Sequence, residues 1–329
     1  MTTNSPSEKR LEELREQAWK DGVVPGKGVD VAGGPIPRKP GYYGQPVVKP
    51  PVWTWEIPLY FFFGGMAGMS AVIASGAVIF HHVDLARAAM WLAAIAGAVL
   101  SPVLLIMDLG RPHLFLNMLR VFKHRSPMSM GAWILTAFGG CVVPGLILLE
   151  LHTHQIFPGA FGELLRFTAG IFILGSAIFG TLLATYTGVL IGATAVPAWF
   201  LHRTFLPIHF GTAGLGSAAG VLELLGHRSP ALNFIGFYAA TVELGLLIWL
   251  SIDKHGAADR AIHEHGSGWL IRLGEVLNGP LAIVLRLFNF APLAALSFLV
   301  GALVSRIGWI AVGKVSGSDP ESVFAAEGQ

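Results

Sequence analysis

Asp108 and Arg111 stand three positions apart where a long apolar run ends, inside the stretch MDLGRPHLFLNMLRVFKHRSPMSMGAW that covers residues 107–133. A carboxylate and a guanidinium at the rim of an apolar zone need each other, water or a ligand, and a carboxylate there can exchange protons. Related residues recur at comparable depth on neighbouring apolar segments. Glu56 and Tyr60 lie one helical turn apart at the opening of the first segment, and Tyr186 lies in the last third of the fourth. His209 falls in the first turns of the fifth segment, and Glu243 in the half of the sixth that is nearest the same side. Acids, tyrosine hydroxyls, a histidine and an arginine against apolar walls suit a molecule with a polar headgroup and an apolar tail, such as a quinone. Its carbonyl oxygens need hydrogen-bond donors, and its oxidation or reduction needs carboxylate or imidazole groups to move protons. Asp108 and Glu56 are the expected proton-exchanging groups. Tyr60, Asp108, Arg111, Tyr186 and His209 are the expected quinone contacts.

Plainer readings stand beside these. Glu56 also suits an interfacial position and His209 a satisfied core position, while Trp53, Trp55 and Trp199 read as interface anchors and His202 as a loop residue. Arg120, Lys123 and Arg125 read as an ordinary basic loop. The opposite side carries His81, His82, Glu150, His152, His154 and Glu223, several of them simply interfacial. A carboxylate inside a span costs about 2.5–3.5 kcal/mol on insertion scales, so Glu243 calls for a reason. Glu243 and Glu223, at two depths in neighbouring segments, open an alternative: a proton or ion relay with no redox role. A passive membrane anchor for a soluble enzyme is a further one.

The elements that position these residues follow from composition. The 329 residues are 53% hydrophobic and 13% charged, against the roughly 25% charged of soluble domains. Several apolar runs reach the roughly 20 residues needed to cross a hydrocarbon core, without the alternation of a barrel strand. The expected fold is all-α and polytopic, with spans at 57–80, 86–107, 130–150, 167–191, 204–225, 231–250 and 291–312. An eighth, at 269–288, carries Arg272, Glu275, Asn278, Gly279, Pro280 and Arg286 and reads as short, broken or shielded. Residues 1–52 form a polar, Pro/Gly-rich arm without an apolar signal-peptide core, residues 53–315 the membrane domain and 316–329 a short tail. Within the arm, residues 7–20 read as a short charged helix. Residues 113–123 read as an amphipathic surface helix, and Ser126 or Ser129 as the cap of a helix starting near Met130. Gly64–Gly68 and Gly216–Gly220 are GxxxG pairs suited to close helix approach.

Charge placement orients the chain. The arm, with eight Lys and Arg, shares a side with Arg111, Arg120, Lys123, Arg125, Arg203, Lys254 and Arg260. Arg87, Arg166, Arg228 and Arg286 fall opposite. This bias favours eight spans with both termini in the cytoplasm. One cysteine, Cys141, can hold neither an iron–sulfur cluster nor a disulfide framework. Only His209 lies well inside a span, so haem is not expected, and no metal site or covalent cofactor is either. Electrons would come from or go to a partner. The net charge of +2 gives no reason to expect nucleic acid.

The sequence resembles the NrfD/polysulfide reductase membrane-subunit family from about residue 52 to 320. The resemblance rests on PVWTWEIPLYFFFGGMAG, DLGRPHLFLNMLRVFKHRSPMSMGAW and YTGVLIGATAVPAWF, with LVGALVSRIGWIAVGK a weaker match. It implies two four-helix bundles, with menaquinone or ubiquinone as substrate in the first. It also implies a partner carrying four 4Fe–4S clusters, usually a molybdopterin catalytic subunit beyond it, and a bacterial plasma (inner) membrane location. Carried over by position, Glu56, Tyr60, Asp108 and Tyr186 match the family's polar residues. The 269–288 region departs from the family's seventh helix, and the arm is longer than in many relatives.

Overall fold

The computed structural model describes residues 53–109, 111–253, 260–263 and 266–327, together with Val48 and Gly256. The charged helix expected at 7–20, nearly all of the arm, Gly110 and Lys254 lie outside the described residues. Among the described residues the structure is helical throughout, without strands. Among the described residues, seven helices are long and apolar enough to cross a membrane: α1 (Glu56–Ile79), α2 (Val83–Asp108), α3 (Pro127–Thr153), α4 (Ala160–Gly192), α6 (Phe205–Leu224), α7 (Pro230–Ile252) and α11 (Ala291–Ser318). Shorter pieces are α5 (Pro197–Leu201), α8 (Arg260–His263), α9 (Gly266–Asn278), α10 (Pro280–Leu287) and α12 (Pro320–Glu327). The chain is a multi-pass membrane protein.

Between α9 and α10 the helix breaks at Gly279. Pro280 has no N–H for the carbonyl of Val276, and Gly279 presses on α7, where a Cβ would come 2.9 Å from the Leu244 nitrogen. The two pieces together rise roughly 33 Å, close to the roughly 30 Å of a hydrocarbon core. The expectation of a broken segment at 269–288 thus has a backbone cause.

Helices α1 to α4 form one bundle, and α6, α7, α9, α10 and α11 a second, joined mainly through contacts of α6 with α1 and α4, with a smaller contact between α1 and α11. Small residues set the closest approaches. A Cβ on Gly68 would lie 2.1 Å from the Gly180 carbonyl oxygen, and one on Gly214 2.7 Å from that of Gly65. The expected Gly64–Gly68 pair therefore contributes chiefly through Gly68, against α4, while Gly65 makes the seam between bundles. Gly216 and Gly220 face Phe298 and Ala295 on α11.

Two local departures matter for the site. Helix α2 widens into a π-helical stretch over Ala94–Leu100, just before Pro102, with the Ser101 hydroxyl donating to the Ala96 carbonyl at 2.7 Å. A proline ring clashes with the carbonyl four residues back, and a wider turn moves that carbonyl away. After α2, residues 112–119 form a 3-10 helix instead of the expected amphipathic α-helix. The tighter coil rises about 2.0 Å per residue and so spans more ground between α2 and α3 with few residues. Ser126 then caps α3, accepting from the Ser129 N–H, so that α3 starts at Pro127 and not near Met130.

Candidate functional site

A cavity of about 290 Å³ opens in the first bundle at the end that carries residues 107–133. Tyr60 on α1, Asp108 at the last position of α2 and Tyr186 on α4 line it, with Trp53 at the entry to α1. Ile57, Phe61, Leu105, Leu109, Met118, Met128, Gly131, Ala132 and Leu190 complete the wall. The lining is apolar except for two hydroxyls, one carboxylate and an indole, a composition typical of small-molecule sites. Both tyrosines are buried and Asp108 is half-buried.

Local sequence explains the positions. Gly131, in the second turn of α3, leaves the space that the Tyr186 ring occupies: a Cβ there would fall 2.0 Å from Cζ and 2.2 Å from the hydroxyl oxygen. Trp53 stacks on Trp199 with centroids 5.6 Å apart, and the Trp199 indole N–H donates to the Trp309 carbonyl at 2.7 Å. Gly313 makes the room for Trp199, since a Cβ would meet its ring at 1.9 Å. The second bundle therefore holds one wall of a cavity in the first. Trp199 and His202, read from sequence as an interface anchor and a loop residue, are both buried, and His202 Nδ1 lies 2.8 Å from the Ala198 carbonyl. Trp55 is exposed, as an interface anchor would be.

Of the expected site residues, Tyr60, Asp108 and Tyr186 share this cavity and the others stand elsewhere. Glu56, one turn before Tyr60, is buried beside Thr54, whose hydroxyl donates to it, and does not line the cavity. Arg111 lies just past α2 with its side chain exposed, also outside the lining. His209 and Glu243 meet in the second bundle, with His209 Nδ1 2.8 Å from Glu243 Oε2. Glu223 sits towards the opposite end of α6, where Arg286 donates to both its oxygens at 2.7 and 2.8 Å and to Asn233 Oδ1 at 2.9 Å. Fourteen positions on α6, roughly 21 Å of rise, separate His209 from Glu223. The expected Glu243–Glu223 relay is therefore not a direct contact: each carboxylate has a different partner.

Sequence reading missed Gly131, Ser305 and Arg306, and it met Glu275 only as an irregularity in a doubtful span. Charged residues in apolar segments, Glu275 and Arg306, were the available signal. Gly131 gave none, because its role depends on a ring from another helix.

A second apolar groove of about 310 Å³ runs along α2, α3 and the 3-10 helix, lined by Ala98, Pro102, Ile106, Phe115, Leu119, Leu135, Thr136, Gly139 and Val143. It shares Leu105, Met118 and Ala132 with the cavity. The π-helical stretch and Pro102 thus shape a lateral apolar path that meets a polar-tipped chamber.

The family model described as "Polysulphide reductase, NrfD" matches residues 45–252, more than half of the chain, from before α1 to the end of α7. No curated protein matches the chain.

Proposed function

Because this chain belongs to the polysulphide reductase NrfD family, whose members are membrane subunits of quinone-linked oxidoreductase complexes, we propose that it exchanges electrons and protons between a quinone and an iron–sulfur partner subunit. The observation that carries this reading is the convergence of Tyr60, Asp108 and Tyr186 from three helices on one cavity that continues into an apolar groove. The headgroup would occupy the cavity and the isoprenoid tail the groove. The quinone itself, menaquinone or ubiquinone, is a bound substrate.

In this reading the tyrosine hydroxyls donate hydrogen bonds to the quinone carbonyl oxygens. Reduction takes two electrons from the partner's clusters and two protons. Asp108, half-buried at the end of α2, delivers protons from the aqueous face and recovers them from water, and reverses this on quinol oxidation. The positive charge of the arm and of the connection after α2 supports a cytoplasmic orientation of this end; in this reading the iron–sulfur subunit docks there and connects to a molybdopterin-type catalytic subunit.

The test is quinone-linked electron transfer in membranes holding the co-purified complex. Asp108→Asn is expected to lower turnover by about 10²-fold, the scale of a lost general acid–base group, with the iron–sulfur subunit still bound. Tyr186→Phe is expected to weaken quinone binding and raise KM. Full turnover in both variants, with assembly intact, would reduce the chain to an anchor.

A further inference from the structure

The second bundle contains a polar cluster that the quinone reading does not use. His209 on α6, Glu243 on α7 and Glu275 on α9 are fully buried, with a nitrogen and two carboxylate oxygens within 4.8 Å of one another. His209 Nδ1 faces both acids, 2.8 Å from Glu243 Oε2 and 3.6 Å from Glu275 Oε1. His209 Nε2 lies 2.6 Å from the Ser305 hydroxyl on α11, and the Thr212 hydroxyl donates to the remaining oxygen of Glu243. Glu275 is different: among the described residues neither of its oxygens has a hydrogen-bond partner. It points at the cluster from the last turn of α9, where Pro280 withholds an N–H from the Val276 carbonyl and the negative end of the helix dipole favours positive charge.

Charge decides what this cluster wants. Arg306, fully buried on α11, donates to the Ala302 and Phe210 carbonyls and acts electrostatically on Glu243 and His209. Helices α1, α2 and α4 also pack on α6, and their charged side chains, Glu56, Asp84, Arg87, Asp108, Glu163 and Arg166, lie in turns near their ends. Glu223, on α6 itself, is neutralised by Arg286. With His209 neutral, two carboxylates and one guanidinium leave one uncompensated negative charge inside the membrane, which is strongly disfavoured. One added positive charge closes the sum. A divalent metal ion would overshoot it.

We propose that His209, Glu243 and Glu275 form an exchangeable-proton site, holding one proton between the imidazole and Glu275 and separate from the tyrosine-lined cavity. Broken helices place such sites where backbone and side chains face a polar interior. Glu275 and Arg306 lie beyond the residues matched by the family model, and the proposal does not rest on quinone binding.

The test uses the full chain in its purified complex, reconstituted in lipid. Infrared difference spectra between mildly acid and alkaline buffer read the carbonyl stretch of a protonated carboxyl and the ring modes of an imidazolium, assigned with isotope-labelled glutamate and histidine. The wild type is expected to show one such signature at neutral pH, lost in Glu275→Gln and shifted in frequency in Glu275→Asp. Asp108→Asn is expected to leave it unchanged. An identical signature in wild type, Glu275→Gln and Glu275→Asp would overturn the proposal, and Glu275→Asp keeps the charge should Glu275→Gln not assemble. Stoichiometric metal in the wild type, lost in Glu275→Asp or Glu275→Gln, would overturn it in favour of a metal site.

Discussion

Tyr186 reaches the cavity because residue 131 has no side chain. Gly131→Ala forces a methyl into the Tyr186 ring, and overpacking of this kind costs about 1–3 kcal/mol. A ring that moves to relieve the clash carries its hydroxyl with it. The expected result is a lower melting temperature for the complex together with a raised quinone KM, whereas Tyr186→Phe should raise KM with little change in melting. A Gly131→Ala variant with wild-type KM would show that the Tyr186 hydroxyl does not touch the substrate. Asp108 closes α2 two residues before Gly110 in the sequence, a position legible from the sequence alone. That it faces the same space as Tyr60 and Tyr186 was legible only as a shared depth, since sequence gives depth along a helix but not which way its neighbours turn.

Among the elements, the broken α9–α10 pair is tied to α6 and α7 by a buried ion pair. Arg286 on α10 holds Glu223 of α6 and Asn233 of α7, and Gly236 opens the space for it, a Cβ there falling 2.0 Å from Nη2. Arg286→Ala leaves Glu223 buried without its partner, a loss of about 3–5 kcal/mol, and should lower folded yield and melting temperature without changing quinone KM. Unchanged melting would mean that water reaches Glu223. By contrast, Arg260 on α8 and Glu321 on α12 meet at 2.8 Å in the open. Arg260 holds the Glu321 carboxyl below the usual carboxylate range, so whatever stability the pair gives is present above the ordinary carboxylate value and fades as pH falls through the lower folded value. Solvent and salt screen so exposed a pair. Glu321→Gln is therefore expected to leave melting at neutral pH within scatter, and a clear drop would mean that a partner covers this corner.

For the whole molecule, the seam between bundles is a close backbone approach, a Cβ on Gly214 falling 2.7 Å from the Gly65 carbonyl oxygen. Gly65 of α1 meets Gly214 of α6, the Arg306 guanidinium lies against Gly65, and Phe61 packs on Phe210 with centroids 5.9 Å apart. Gly214→Val should spread α1 from α6 and reduce folded yield in membranes; normal yield would show the bundles to be separable. This seam joins the wall of the tyrosine-lined cavity to the His209 cluster. By itself the sequence determined the all-α membrane class, the seven long spans to within seven residues at each end, the irregular eighth segment and the polar residues at each depth. Hydropathy fixes these, because a lipid core demands apolar length and penalises every charge. Only the tertiary structure decided which polar residues meet. It joined Tyr60, Asp108 and Tyr186, moved His209 and Glu243 to Glu275, bound Glu223 to Arg286 and left Arg111 at the surface. The reason is rotational: small residues such as Gly68, Gly131 and Gly214 set how each helix turns toward its neighbours, and a one-dimensional pattern does not contain that angle.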